Sequence, residues 1–236
     1  MPEVFGWQHL TYLAIYVIVG AAAIVLIKKF CKSERSLFWA IKITALILLA
    51  LIIWNRIGLY MVYEDAIYLI PNTFCGITSF TFAVCALAFK RDNCTLHCMA
   101  YCGFLGGLLT MIYPDFIGQS DTIFYHLTMS GLLHHTFALF LSILMFATKW
   151  ITPSLKKWKY LPIGLSFMMT YGIFILTFFD KLGTGYDAMY ITEPVLEGTI
   201  FTWYFVGFLF LLLHIIFLLC YTYIPKYINK RKTKSA

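Results

Sequence analysis

The chain has 236 residues, of which 61% are hydrophobic and only 12% charged, and it carries a formal net charge of +7. A soluble domain has about a quarter charged residues, so this composition excludes a water-soluble globular protein and leaves an integral membrane protein. A span takes about 20 apolar residues, so the length suits six to eight spans in one transmembrane domain, residues 1–236, with no room for a soluble one.

Seven apolar runs fall at 10–27, 37–61, 66–89, 94–113, 122–148, 160–179 and 200–224. Each is predicted to be helical, because lipid cannot satisfy an open backbone. Lys28, Lys29, Lys32 and Arg35 follow the first run, and Lys90 and Arg91 follow the third. Lys149, Lys156, Lys157 and Lys159 follow the fifth, and Lys226, Lys230, Arg231, Lys232 and Lys234 the seventh. Nine of the 11 acids lie in the alternate segments: Glu3, Glu64, Asp65, Asp115, Asp121, Asp180, Asp187, Glu193 and Glu197. Basic loops stay in the cytoplasm. The expectation is an all-α, polytopic membrane helix bundle of seven transmembrane helices in the cell membrane, N-terminus outside and C-terminus cytoplasmic. The positive charge is then a topology signal that also attracts anionic headgroups. Membrane lipids are the expected partners, nucleic acid is not, and the oligomeric state stays open.

Trp7, Trp54, Trp150, Trp158 and Trp203 fall near span ends, as an aromatic belt does. Lys42 and Arg56 lie inside the second run, where snorkelling to the nearer interface is the plainest expectation. Arg56 stands beside Asn55 near the outer end of that run.

The cysteines number seven, an odd count, and most lie in apolar runs, which argues against a disulfide framework. Cys94, Cys98 and Cys102 share one helical face, with His97 among them. A structural zinc site gathers ligands from two elements, so no metal is expected here. The stripe continues as Gly103, Gly106 and Gly107, with a GxxxG spacing that lets helices approach closely. The seventh run has no lysine for a retinal Schiff base, and no cofactor is expected.

The segment Tyr113–Phe140 carries His126, His134 and His135 into an apolar run. Ionisable groups at membrane depth are costly and mark function. Counting 1.5 Å per residue from the outer end of each run puts Cys75 roughly 13 Å in, His134 and His135 roughly 18–20 Å in, His126 about 6 Å in and His214 about 21 Å in. Cys75, His135 and His214 then share a depth. Adjacent His134 and His135 point about 100° apart, whereas His126, Gly131 and His135 stay near one face. A thiol and an imidazole at one depth form a nucleophile–base pair for attack on an acyl carbonyl. The plainer readings are a small apolar cysteine in a helix interface and histidines that hydrogen-bond between helices. The loop 180–198 is long and rich in Gly and Tyr, equally suited to a lid or a simple re-entry loop.

Three segments resemble the bacterial YwaF-like integral membrane proteins and their animal relative, transmembrane protein 164. They are Ile70-Pro71-Asn72-Thr73-Phe74-Cys75; Gly106 to Asp115 with Phe124 to Leu139; and Gly185 to Pro194. The resemblance runs from about Tyr68 to Tyr204. It implies a polytopic fold and, through the animal relative, acyl transfer between phospholipids with a cysteine nucleophile. The nucleophile's role falls on Cys75 and the histidine's on His135. His214 or His126 would orient base or substrate, with Thr73 a reserve nucleophile. Asn72, Thr73, His126, His134, His214 and Tyr186 are the substrate-binding candidates. The alternatives are a proton-linked transporter or sensor of a small solute, using the buried histidines as gates, and a non-catalytic membrane scaffold.

Overall fold

A computed structural model describes residues 3–114, 120, 122–182, 184, 186–194 and 198–234, and among them all regular structure is helical. Asp115, Asp121 and Glu197, counted above as outer acids, and Gly185 of the third resembling segment lie outside the described residues. The helices are α1 (Trp7–Phe30), α2 (Glu34–Tyr63), α3 (Phe74–Ala88), α4 (Cys94–Ile112), α5 (His126–Ala147), α6 (Tyr160–Phe178) and α7 (Trp203–Lys234), with short 3-10 turns at Ala66–Leu69 and Leu155–Lys157. Six segments, α3 not among them, are long and apolar enough to cross a membrane.

The exception corrects the expected third run. Residues 66–89 do not form one helix, because Pro71 lacks an N–H and drives Ile70 out of the helical region, to φ −90°, ψ 137°. The chain passes Ile70 to Thr73 as extended backbone and restarts at Phe74. Thr73 caps the new helix by accepting the Gly76 amide at 3.1 Å. Cys75 is therefore the second residue of a 15-residue helix and not a mid-span residue.

Helices α2 to α5 enclose the core, with Ile41, Leu48, Phe82, Tyr101 and Leu141 fully buried. The glycine stripe sets their spacing. A Cβ on Gly103 would meet Ser142 Oγ at 3.0 Å, and one on Gly107 would meet Leu139 Cβ at 2.9 Å and the His135 carbonyl at 3.0 Å. Helix α1 leans on α5 through the Tyr12–Thr136 hydroxyl pair and reaches α4 through His9, whose Nε2 lies 2.9 Å from the Met111 carbonyl. Its other faces, including Val17, Ile18 and Val19, are exposed, as lipid-facing surface is.

The two ends of the bundle carry different ion pairs. At one, Arg91 meets Glu34 at 3.0 Å and Lys157 meets Asp92 at 2.6 Å. At the other, Lys181 meets Asp65 at 3.1 Å. Burial alone would raise the Asp92 carboxyl, but hydrogen bonds with Lys157 and His97 outweigh it and hold the group at about 2.

Two expectations from the second run and the tryptophan belt change. Lys42 does not snorkel: its Nζ donates to the carbonyls of Ala86, Leu87 and Phe89 at 2.7, 2.7 and 3.2 Å, which closes the C-terminus of α3. Trp150 is buried in the core beneath Arg91, whose guanidinium lies 5.2 Å from the ring, whereas Trp7, Trp54, Trp158 and Trp203 are exposed.

Candidate functional site

Arg56 points inward from α2 and is buried. Its Nη1 donates to Asn72 Oδ1 at 2.9 Å and its Nη2 to Asn55 Oδ1 at 2.7 Å. Asn55 donates in turn to Ser130 Oγ on α5 at 3.0 Å, and the Asn72 amide donates to the Tyr186 hydroxyl. One guanidinium thus ties α2, α5, the extended segment before α3 and the loop before α7. Snorkelling is ruled out for Arg56, because amide oxygens inside the protein replace water around it.

Asn55, Arg56, Asn72 and Tyr186 line a polar chamber of about 350 Å³ with Tyr63, Tyr68, Thr73, Gly131, His134, His135, Asp187 and Tyr190. Beside it lies an apolar cavity of about 260 Å³ lined by Phe74, Gly103, Gly106, Gly107, Leu165, Met168, Phe201 and Phe210. Cys75, His135 and Tyr190 line both, so they stand on the wall between them. Cys75 also interacts with the Thr110 side chain of α4. The close α4–α5 approach at Gly107 sets the His135 backbone directly against α4. A thiol and an imidazole thus stand at the junction of a polar and an apolar space.

Residues 186–191, which close the chamber, are packed into the protein. Ala188 and Met189 are buried, the Met189 amide donates to the Asn72 carbonyl at 3.0 Å, and the Met189 side chain fills the space over Gly172. Asp187 turns its carboxylate onto the amides of Ile191, Thr192 and Glu193 at 3.0, 3.3 and 3.1 Å. Met189 and Tyr190 hold φ values of 59° and 54°. Consecutive left-handed conformations in bulky residues are strained, and here they aim Tyr190 at the wall it shares with Cys75 and His135.

The other candidates separate. Asn72, Thr73, His134 and Tyr186 line the polar chamber. Thr73 uses its hydroxyl as the cap of α3, which makes it a structural residue. His134 and His135 both line the chamber, contrary to the expectation from their 100° offset: their rings stack at 4.3 Å, and His134 Nδ1 lies 3.0 Å from Ser79 Oγ. His126 does not line either cavity; it sits against Gly58 and Tyr125. His214 is also elsewhere. It packs against Tyr101 with ring centroids 4.2 Å apart, on the side of the core where Tyr101 bonds His97. Residue counts along the runs put His214 level with Cys75 and His135, but they do not fix which side of the core a side chain faces. Among the described residues no cluster of three or more His, Cys, Asp or Glu is disposed to hold a metal.

Asn55, Arg56 and Tyr190 were not among the site candidates read from sequence. The first two carried a signal, since adjacent Asn and Arg in an apolar run are costly unless they meet partners. Tyr190 carried none.

The chain matches the TMEM164 family over residues 4–221. Neither the curated proteins nor the solved structures yield a match.

Proposed function

From the premise that the chain belongs to the TMEM164 family and is an integral membrane protein, we propose that it is a phospholipid acyltransferase or acyl hydrolase acting through Cys75 and His135. The observation that carries this reading is their shared position between the polar chamber and the apolar cavity. His135 accepts the Cys75 proton, and the thiolate adds to the ester carbonyl of a glycerolipid. The amides of Phe74 and Cys75 lie in the first turn of α3, where helical N–H groups lack intrahelical acceptors, and in this reading they donate to the oxyanion. The ester C–O bond breaks as His135 returns the proton to the leaving alkoxide, which leaves an acyl thioester on Cys75. The hydroxyl of a lysophospholipid, or water, then adds to the thioester carbonyl while His135 takes its proton. Loss of the thiolate and its reprotonation by His135 restore the starting site.

The same reading places the protein in the cell membrane with seven spans, α3 and the extended segment before it making the seventh, and with the N-terminus outside. The distribution of basic loops supports that orientation.

The test is intact-mass analysis of purified protein after incubation with a phospholipid of defined acyl chain. A mass increase equal to the acyl group, localised to Cys75 and absent in Cys75→Ala, is expected, with slower formation in His135→Ala. If no acyl adduct forms in wild type and Cys75→Ala leaves lipid turnover unchanged, the cysteine is not the nucleophile and a transporter or scaffold replaces this reading.

A further inference from the structure

We infer that Arg56, held by Asn55 and Asn72, is the binding site for a phosphate group entering the polar chamber. A guanidinium offers five N–H donors. Here two go to neutral amide oxygens, and Nε is buried with no hydrogen-bond partner. Among the described residues no carboxylate pairs with Arg56. Asp187, which also lines the chamber, spends both oxygens on backbone amides, and Asp65 is taken by Lys181 and the Ile67 amide. A buried cation without a counter-ion is destabilising, and the partners it has are too few to neutralise it. The planar fork matches the oxygens of a phosphate, and a chamber of about 350 Å³ has room for one. The buried polar frame thus holds Arg56 with its charge uncompensated by any side chain among the described residues.

Phosphate could arrive as a free ion or as the head group of a lipid. The apolar cavity across the shared Cys75–His135–Tyr190 wall favours the lipid. That choice of source rests on the acyl-transfer reading above, whereas the anion site itself does not.

The decisive variant is Asn72→Asp. It preserves size, keeps an acceptor for Arg56 and supplies a built-in carboxylate that takes the anion's place. It therefore leaves the fold intact, with thermal unfolding at or above the wild-type temperature. Arg56→Lys is the second variant, as it keeps the charge but loses the fork. Binding is measured by native mass spectrometry of the full chain in a neutral detergent, with lysophosphatidylethanolamine, a monoacylglycerol of the same chain and inorganic phosphate as probes. All proteins carry Cys75→Ala, so no thioester can form and the result stands whether or not the cysteine is a nucleophile. The expected result is at least tenfold preference for the lysophospholipid over the monoacylglycerol, lost in both variants. Equal binding of the two lipids with no Arg56-dependent binding of inorganic phosphate, or a preference that survives Asn72→Asp, overturns the site. Arg56-dependent binding of inorganic phosphate without the lysophospholipid overturns the lipid source and identifies a soluble anion.

Discussion

Arg56 donates to Asn72 at 2.9 Å, and Asn72 lies three residues before Cys75. The contact fastens α2 to the extended segment from which α3 starts, so the second-residue position of Cys75 depends on it. Asn72 also accepts the Met189 amide at its carbonyl and reaches Tyr186. This residue is where the polar frame, the segment leading to Cys75 and the closing loop meet.

Replacing Asn72 by Ala leaves the buried guanidinium with one side-chain acceptor. Loss of a hydrogen bond to a charged group costs about 1.5–3 kcal/mol. Thermal unfolding in detergent should fall accordingly, and Cys75 should react faster with iodoacetamide as the frame loosens. Unchanged values for both would show that the frame does not hold α3.

The glycine stripe offers a paired test. Gly107→Ala forces a Cβ to 2.9 Å from Leu139 Cβ and 3.0 Å from the His135 carbonyl, neither of which is a flexible side-chain end. Such overpacking costs about 1–3 kcal/mol and displaces His135, so acyl transfer should fall more than stability. Gly106→Ala meets only Phe210 Cζ, at 3.9 Å, and should be tolerated. The check is lipid turnover and unfolding measured side by side for the two variants.

The helix runs were legible in the sequence because hydropathy over 20 residues is a local property. Cys75 and His135 line the same two cavities, but His134 joins them in the polar chamber against the 100° offset expected of adjacent helical residues. Arg56 was visible but misread, as snorkelling and burial differ only in what lies across from the side chain, and Asn72 is supplied by another element. The break at Pro71 was written in the chain, yet the apolar run around it suggested continuity. His214 lies away from the chamber because residue counting gives distance along a helix and says nothing of the direction in which a side chain faces.

Lys42→Met removes the donors from three carbonyls at the end of α3. The expected loss is roughly 2 kcal/mol, largely restored by Lys42→Arg. Equilibrium unfolding measures it. The capped carbonyls are at the opposite end of α3 from Cys75, so reactivity of the thiol should persist in the folded fraction.

Asp92 links acidity to stability. Its folded value of about 2 lies below the ordinary carboxylate value of about 3.9. The unfolded chain therefore binds its proton first as pH falls, and the contribution is complete above about pH 4 and lost between about pH 4 and pH 2. Asp92→Asn should flatten the stability profile over that interval. A profile of unchanged slope would show that other groups carry the acid sensitivity.

With 15 residues, α3 rises only about 22 Å, against a hydrocarbon core of about 30 Å. Phe80 and Val84 bring one of its faces to the outside of the bundle. In a seven-span arrangement, the extended residues Ile70 to Thr73 rise about 3.3 Å each and make up the shortfall. A span built partly of helix and partly of extended chain leaves backbone groups of residues 70–73 outside any helical ladder, so they need partners within the protein. The Asn72 carbonyl finds one in the Met189 amide, and the loop before α7 thereby completes a crossing that α3 is too short to make alone.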